Sequence, residues 1–196
     1  MGEICENIVT GGTPSTSKNE YWSHGSIPWM SSGEIHNRKV YSTIKHITEL
    51  GLKSSSTKYI PRNSVLIALA GQGKTRGCVA INKIDLCINQ SLASITPISG
   101  ILNYTFLYYN LDNRYQELRD ISSGDGSRGG LNLQMIKKIK IPLPSLAEQE
   151  RIVNILDKFD TLVNDISQGL PAEIEARQKQ YEYYRNKLLT FKEISY

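Results

Sequence analysis

No run of eighteen apolar residues occurs anywhere in the 196-residue sequence, so no segment has the form of a membrane-spanning helix. The opening MGEICENIVTGG lacks the basic-then-apolar layout of a secretion signal, which predicts a reducing, cytoplasmic location. Cysteine is scarce. Cys5, Cys78 and Cys87 are odd in number and lack C-x-x-C spacing, which speaks against a disulfide framework or a thiolate zinc site and predicts three unbridged, buried thiols. Histidine is equally scarce, and His24, His36 and His46 stand in the first quarter without metal-ligand spacing. No G-x-S-x-G occurs, nor the Asp/Asn-Pro-Pro-Tyr/Phe motif of amino-methyltransferases. The N-x-S/T triplets at Asn89 and Asn103 carry no weight in a cytosolic protein.

What is present is an ordinary globular composition, 39% hydrophobic and 21% charged, with enough chain for one domain and an appendage. The net charge of +4 is unevenly spread. Residues 1–144 hold 16 Lys and Arg against 10 Asp and Glu, whereas residues 145–196 hold 7 against 9. A polyanion is drawn to the first part.

Residues 1–144 alternate β-rich runs with Gly/Ser-rich turns. VLIALA (65–70), CVAI (78–81) and SLASITPI (91–98) read as strands, the first two joined by the turn 71–77. ITEL (47–50) reads as a short helix. Phe106, Leu107, Leu111, Tyr115 and Leu118 recur at helical spacing and predict a helix over 104–121. The glycine-rich SSGDGSRGG follows, then a short helix over 133–137. IKIPLP (139–144) reads as an edge strand or an extended lead-out, because Pro142 and Pro144 cannot donate to a ladder.

The pattern changes at Ser145, where Ser145-Leu-Ala-Glu148 has the form of a capping box. Apolar residues then recur by fours and threes at Ile152, Leu156, Phe159, Val163 and Ile166. Gly169 and Pro171 interrupt the stripe, with Pro171 suited to the first position of a new helix. It resumes at Ile174, Tyr181, Tyr184, Leu188 and Phe191. One helix cannot bury such a stripe, so the segments pack on each other, on the preceding domain or on another chain.

Two motifs resemble nucleotide sites. Ala68-x-x-x-x-Gly73-Lys74-Thr75 is close to a Walker A loop, but that loop must feed into a helix, and CVAI follows instead. Gly124-Asp-Gly126-Ser-Arg-Gly129 fits G-x-G-x-x-G, yet it follows a predicted helix rather than a strand. Without either helix or strand context, both read as glycine-rich loops. Gln72, Lys74, Thr75 and Arg76 crowd one hairpin tip: Gln and Arg can pair bidentately with adenine and guanine, while Lys and Thr suit phosphate. Arg128 gives the second loop a phosphate contact. A solvated turn with incidental charges is the competing reading.

Further residues carry a family resemblance over nearly the whole chain. Gly11-Gly-Thr-Pro14, Tyr21-Trp22 and Ile27-Pro-Trp29 look like the opening of a target recognition domain. ALAGQGKTRGCVAI (68–81) with Asn89-Gln90 matches the glycine-rich turn and the strand after it. Most specific is Leu131-Asn-Leu133 through Ile141-Pro-Leu-Pro144 into Glu148-Gln149-Glu150-Arg151-Ile152-Val153 and Leu156-Asp157. The chain thus resembles half of a specificity subunit of a type I restriction–modification system.

That resemblance implies an α+β chain: a mixed-sheet target recognition domain over 1–144, then a long or broken coiled-coil-like helical arm over 145–196. It implies no catalysis and no cofactor on this chain. S-adenosylmethionine, ATP and Mg belong to partner subunits, which methylate adenine or translocate and cut DNA. The expected partners are double-stranded DNA, methylation subunits, the restriction subunit and a second copy or half-subunit. Gln72, Lys74, Thr75, Arg76 and Arg128 are the expected DNA contacts. Ile152, Leu156, Phe159, Val163, Ile174, Tyr181, Tyr184 and Leu188 are the expected partner contacts. Full subunits carry two recognition domains and two arms, so a natural half-subunit, an excised piece and a recombining cassette all remain open. A P-loop protein and a pure assembly module are the alternative functions.

Overall fold

Strands rich in Val, Ile and Leu dominate the first part of the computed structural model, which describes residues 1–71, 75–122, 130–165 and 171–191. The described residues divide into two compact units, Met1–Ile141 and Pro142–Tyr196. In chain order the strands are β1 (Cys5–Thr10), β2 (Ile27–Met30), β3 (Lys39–Val40), β4 (Lys45–Ile47), β5 (Tyr59–Ile60), β6 (Val65–Ala68), β7 (Val79–Asn82), β8 (Leu86–Ile88) and β9 (Leu92–Pro97). The helices are α1 (Glu49–Lys53), α2 (Tyr104–Asp112), α3 (Tyr115–Ile121), α4 (Leu133–Lys138), α5 (Leu146–Asp165) and α6 (Pro171–Leu189).

The first unit is α+β, with two mixed sheets. One has the order β1-β9-β6-β7-β3 and the other β4-β2-β8-β5. All neighbours are antiparallel except β3 with β7 and β2 with β8. Val65, Leu66, Ile67 and Ala68 are all buried, because β6 is central and covered on both faces. Leu66 and Ala68 join Met30, Ile60, Leu86 and Ile88 in one core cluster between the sheets. Helix α2 packs on β6 and β7. Such two-sided burial explains why VLIA is continuously apolar instead of alternating. A second cluster of Ile27, Trp29, Ile47 and Cys87 fills the outer side of the smaller sheet, with Trp22 and Leu52 against it.

Two expected elements change, and one open alternative is decided. Ile47 belongs to β4, paired with Ile27, and the helix begins only at Glu49. Thr48 ends the strand by capping: its Oγ1 accepts from Gly51 N at 3.1 Å while donating to Glu20 O at 2.9 Å. The helix expected over 104–121 is two helices. Asn103 caps α2 through Thr105 and Phe106, and Arg114 then leaves helical geometry and donates to Lys140 O at 2.6 Å. Residues 139–144 join no ladder, so they are the extended lead-out and not a strand.

In the second unit α5 follows directly on Ser145, whose hydroxyl accepts from Glu148 N at 3.4 Å. The Glu148 carboxylate is gripped by the Arg151 guanidinium through two contacts of 2.7 Å, which holds its pKa below the usual value. Pro171 is the first residue of α6, where its missing N–H costs nothing. The two helices pack on each other, and the Phe159 and Tyr184 rings stack at 5.5 Å.

Candidate nucleic-acid interface

Antiparallel pairing brings the C-terminal ends of β1 and β6 together with the N-terminal ends of β9 and β7: Thr10 pairs with Ala93, Ala68 with Leu92, and Ile67 with Val79. The described polar segments that flank these strands therefore emerge at one end of the sheet. Residues 11–14 leave β1 there. Gly12 N donates to Ile88 O at 2.9 Å, and the buried Trp29 Nε1 donates to Gly12 O at 3.0 Å. A Cβ on Gly11 would run into the Ile88 carbonyl, so glycine is required for this close approach. Thr13 Oγ1 donates to Gln90 Oε1 at 2.5 Å, joining the first loop to the Asn89–Ser91 segment before β9.

The β6–β7 hairpin rises beside them. Leu69 N donates to Ser91 O at 2.9 Å, and Gly77 N to Ala68 O at 3.0 Å. Gly71 has φ +118°, and the Thr75 hydroxyl occupies the place where its Cβ would stand. Thr75 also closes the turn: its Oγ1 donates to Ala70 O at 3.3 Å and its carbonyl accepts from Cys78 N at 2.9 Å. The chain then enters β7, not a helix, so the fold lacks the helix N-terminus that a P-loop needs.

Of the expected DNA contacts, Thr75 and Arg76 are half-buried in this turn. Gln72, Lys74 and Arg128 lie outside the described residues, as does the G-x-G-x-x-G stretch. Described residues that flank the two stretches are nonetheless adjacent. Leu131 N donates to Leu69 O at 2.9 Å, and Gly77 lies against Leu118 and Arg119 of α3, the helix that leads into residues 123–129. The tertiary structure thus adds Thr13 and Gln90 to the same surface. Their signal in the sequence was slight: GGTP and NQ read only as family landmarks, with nothing to pair them across 77 residues.

Burial pushes the thiols of Cys5 and Cys87 up to about 11 and raises that of Cys78. Among the described residues no group of three or more His, Cys, Asp or Glu could hold a metal ion. No described helix is long and apolar enough to cross a membrane.

The expected partner residues fall on the helical unit. Ile152, Leu156 and Tyr181 are buried, while Phe159, Ile174 and Leu188 are half-buried. Tyr184 is 37% exposed, and its stacking on Phe159 shows that part of the stripe is satisfied within the unit. Val163 lies in α5, with its side chain outside the described residues. Ile166 also lies outside them. Tyr183, which the periodicity did not single out, is 59% exposed.

Fold and site together define a two-unit protein: a mixed-sheet domain presenting polar loops at one end, and a helical pair. Residues 1–176 match the family described as Type I restriction modification DNA specificity domain, and the chain belongs to that family. It is 42% identical over 193 residues to the EcoR124I/EcoR124II specificity subunit of Escherichia coli, covering 97% of this chain and 47% of that protein. It is 34% identical to the EcoprrI specificity subunit of Escherichia coli, covering 95% of this chain and 48% of that one. The chain spans about half the length of these curated relatives. The fold matches the crystal structure of the HsdS subunit from Thermoanaerobacter tengcongensis with a TM-score of 0.62 at 20% identity, over 96% of this chain and 43% of that one.

Proposed function

We propose that this chain is a non-catalytic DNA specificity module of a type I restriction–modification complex. Its first 144 residues read one half of a split target, and residues 145–196 form the arm that holds partners. The observation that carries the reading is the convergence of the 11–14, 69–71, 75–78 and 89–91 segments at one end of the basic unit, with Leu131 bonded to Leu69 beside them. Gln72, Lys74, Thr75, Arg76 and Arg128 are assigned to DNA: Gln and Arg to base edges, Lys and Thr to phosphate. The chemistry is assigned to others. Methylation subunits supply S-adenosylmethionine-dependent adenine methylation, and a restriction subunit supplies ATP- and Mg-dependent translocation and cutting.

Where the chain acts alone, it pairs through its arm with a second copy or another half-subunit. A symmetric pair reads a two-fold symmetric split target. Mapping methylated adenine in cells with and without the chain tests this directly. A split motif that disappears with the chain is expected, and an unchanged map counts against the reading. Arg76→Ala is expected to weaken or relax one position of that motif by about 1–3 kcal/mol if Arg76 contacts a base. An unaltered motif removes Arg76 from the set.

A further inference from the structure

The short loop between β3 and β4 presents large apolar side chains to solvent: Tyr41 is 66% exposed and Ile44 is 82% exposed. Single exposed apolar residues are ordinary on a protein surface. This loop is not ordinary in how it is held. Glu34, only 6% exposed, receives Ser31 N at 2.9 Å and Ser31 Oγ at 3.0 Å on one carboxylate oxygen, and Ile44 N at 2.9 Å on the other. Thr43 turns inward, and its Oγ1 donates to Lys45 O at 2.8 Å. Burying a carboxylate is costly unless donors surround it: here Ser31 caps the turn at 32–37 through one oxygen, and the backbone of the loop itself, at Ile44 N, supplies the donor on the other. A buried charge is thus spent on fixing an outward-pointing isoleucine.

The position of the loop matters equally. Asn89 N donates to Met30 O at 3.1 Å at the end of β2, and Lys45 pairs with Trp29 on the other side of that strand, so the loop stands at the same end of the smaller sheet as the 89–91 segment. The Trp29 indole holds the Gly12 carbonyl. Lys45 Nζ lies 5.6 Å above the Trp22 ring, and Trp22 Nε1 donates to Ser15 O at 3.1 Å. Thr16, Trp22, Lys45 and His46 line an open groove of about 380 Å³ directly beside the loop. An apolar tip followed by the exposed Lys45, at the same end of the smaller sheet as the 89–91 segment, matches duplex DNA in charge and chemistry. An apolar protein surface would not require the lysine.

We propose that residues 41–46 form a second DNA contact of this unit, with Ile44 and Tyr41 as apolar wedges against the sugars and base edges of a groove and Lys45 and His46 on the flanking phosphates. Proteins that bend DNA use apolar side chains in this way, inserted between cations that follow the backbone. The proposal rests on the DNA-reading function, and its test separates the two.

The full chain is titrated with a fluorescein-labelled pool of random-sequence duplexes at several salt concentrations. Wild type is compared with Ile44→Ser, Tyr41→Ser and the double variant Lys45→Ala/His46→Ala. All four positions are exposed, and thermal melting establishes that the variants remain folded. Ile44→Ser is expected to weaken binding by about tenfold at every salt concentration, because it removes apolar burial and no charge. The lysine–histidine double variant is expected to lower the salt slope by about one. Wild type that binds while Ile44→Ser and the double variant both stay within about twofold overturns the proposal and leaves the DNA reading intact. Wild type that fails to bind even at low salt overturns both. Ile44→Ser that binds DNA normally but no longer co-purifies with methylation subunits also overturns the proposal, by making the loop a protein contact.

Discussion

Glu34 shows how one side chain can organise a surface. Three donors converge on its carboxylate, two of them backbone N–H groups of segments that it joins. Glu34→Gln keeps the volume but turns one acceptor into an amide that faces a donor. The expected loss is about 2 kcal/mol, read as a lower urea midpoint with an unchanged slope. DNA binding should fall together with stability, since the same carboxylate fixes Ile44. In the sequence Ser31-Ser-Gly-Glu34 has the form of a capping box, which signals the local role of Glu34 but not its bond to Ile44 N. A buried, shared acceptor is created by chain segments ten residues apart meeting in space.

At the scale of elements, legibility followed burial symmetry. β6, β7 and β9 were readable because they are central strands with buried, continuous apolar runs. β3, β4 and β5 were not readable, being two or three residues long and defined only by their partners. The division of α2 from α3 was hidden for a related reason: the apolar spacing runs through Arg114, whose non-helical backbone and bond to Lys140 O mark the break only in the structure. In the helical unit the periodicity was legible, and Leu156 sits fully buried on the expected stripe. Leu156→Ala is expected to destabilise by about 2–5 kcal/mol, depending on how far the cavity collapses. Comparison of thermal unfolding of the two proteins checks this. A change under about 0.5 kcal/mol would mean that the stripe is not a packing element.

For the whole molecule, the two units differ in charge sign, the first carrying the excess of Lys and Arg and the second a slight excess of Asp and Glu. The division suits a protein whose one part meets a polyanion and whose other part meets protein. Light scattering on the full chain and on residues 1–144 tests the arm's proposed role. The full chain is expected at twice the monomer mass and the shortened one at the monomer mass; a monomeric full chain would refute self-pairing through the arm. The sequence by itself determined the α+β class, the change of character at Ser145, the capped helix after it and the family, because all of these rest on local periodicity and contiguous motifs. Only the tertiary structure decided which polar loops share a surface. Thr13 meets Gln90, Leu69 meets Leu131, and Glu34 holds Ile44, because antiparallel pairing and a buried acceptor join residues that no local pattern relates.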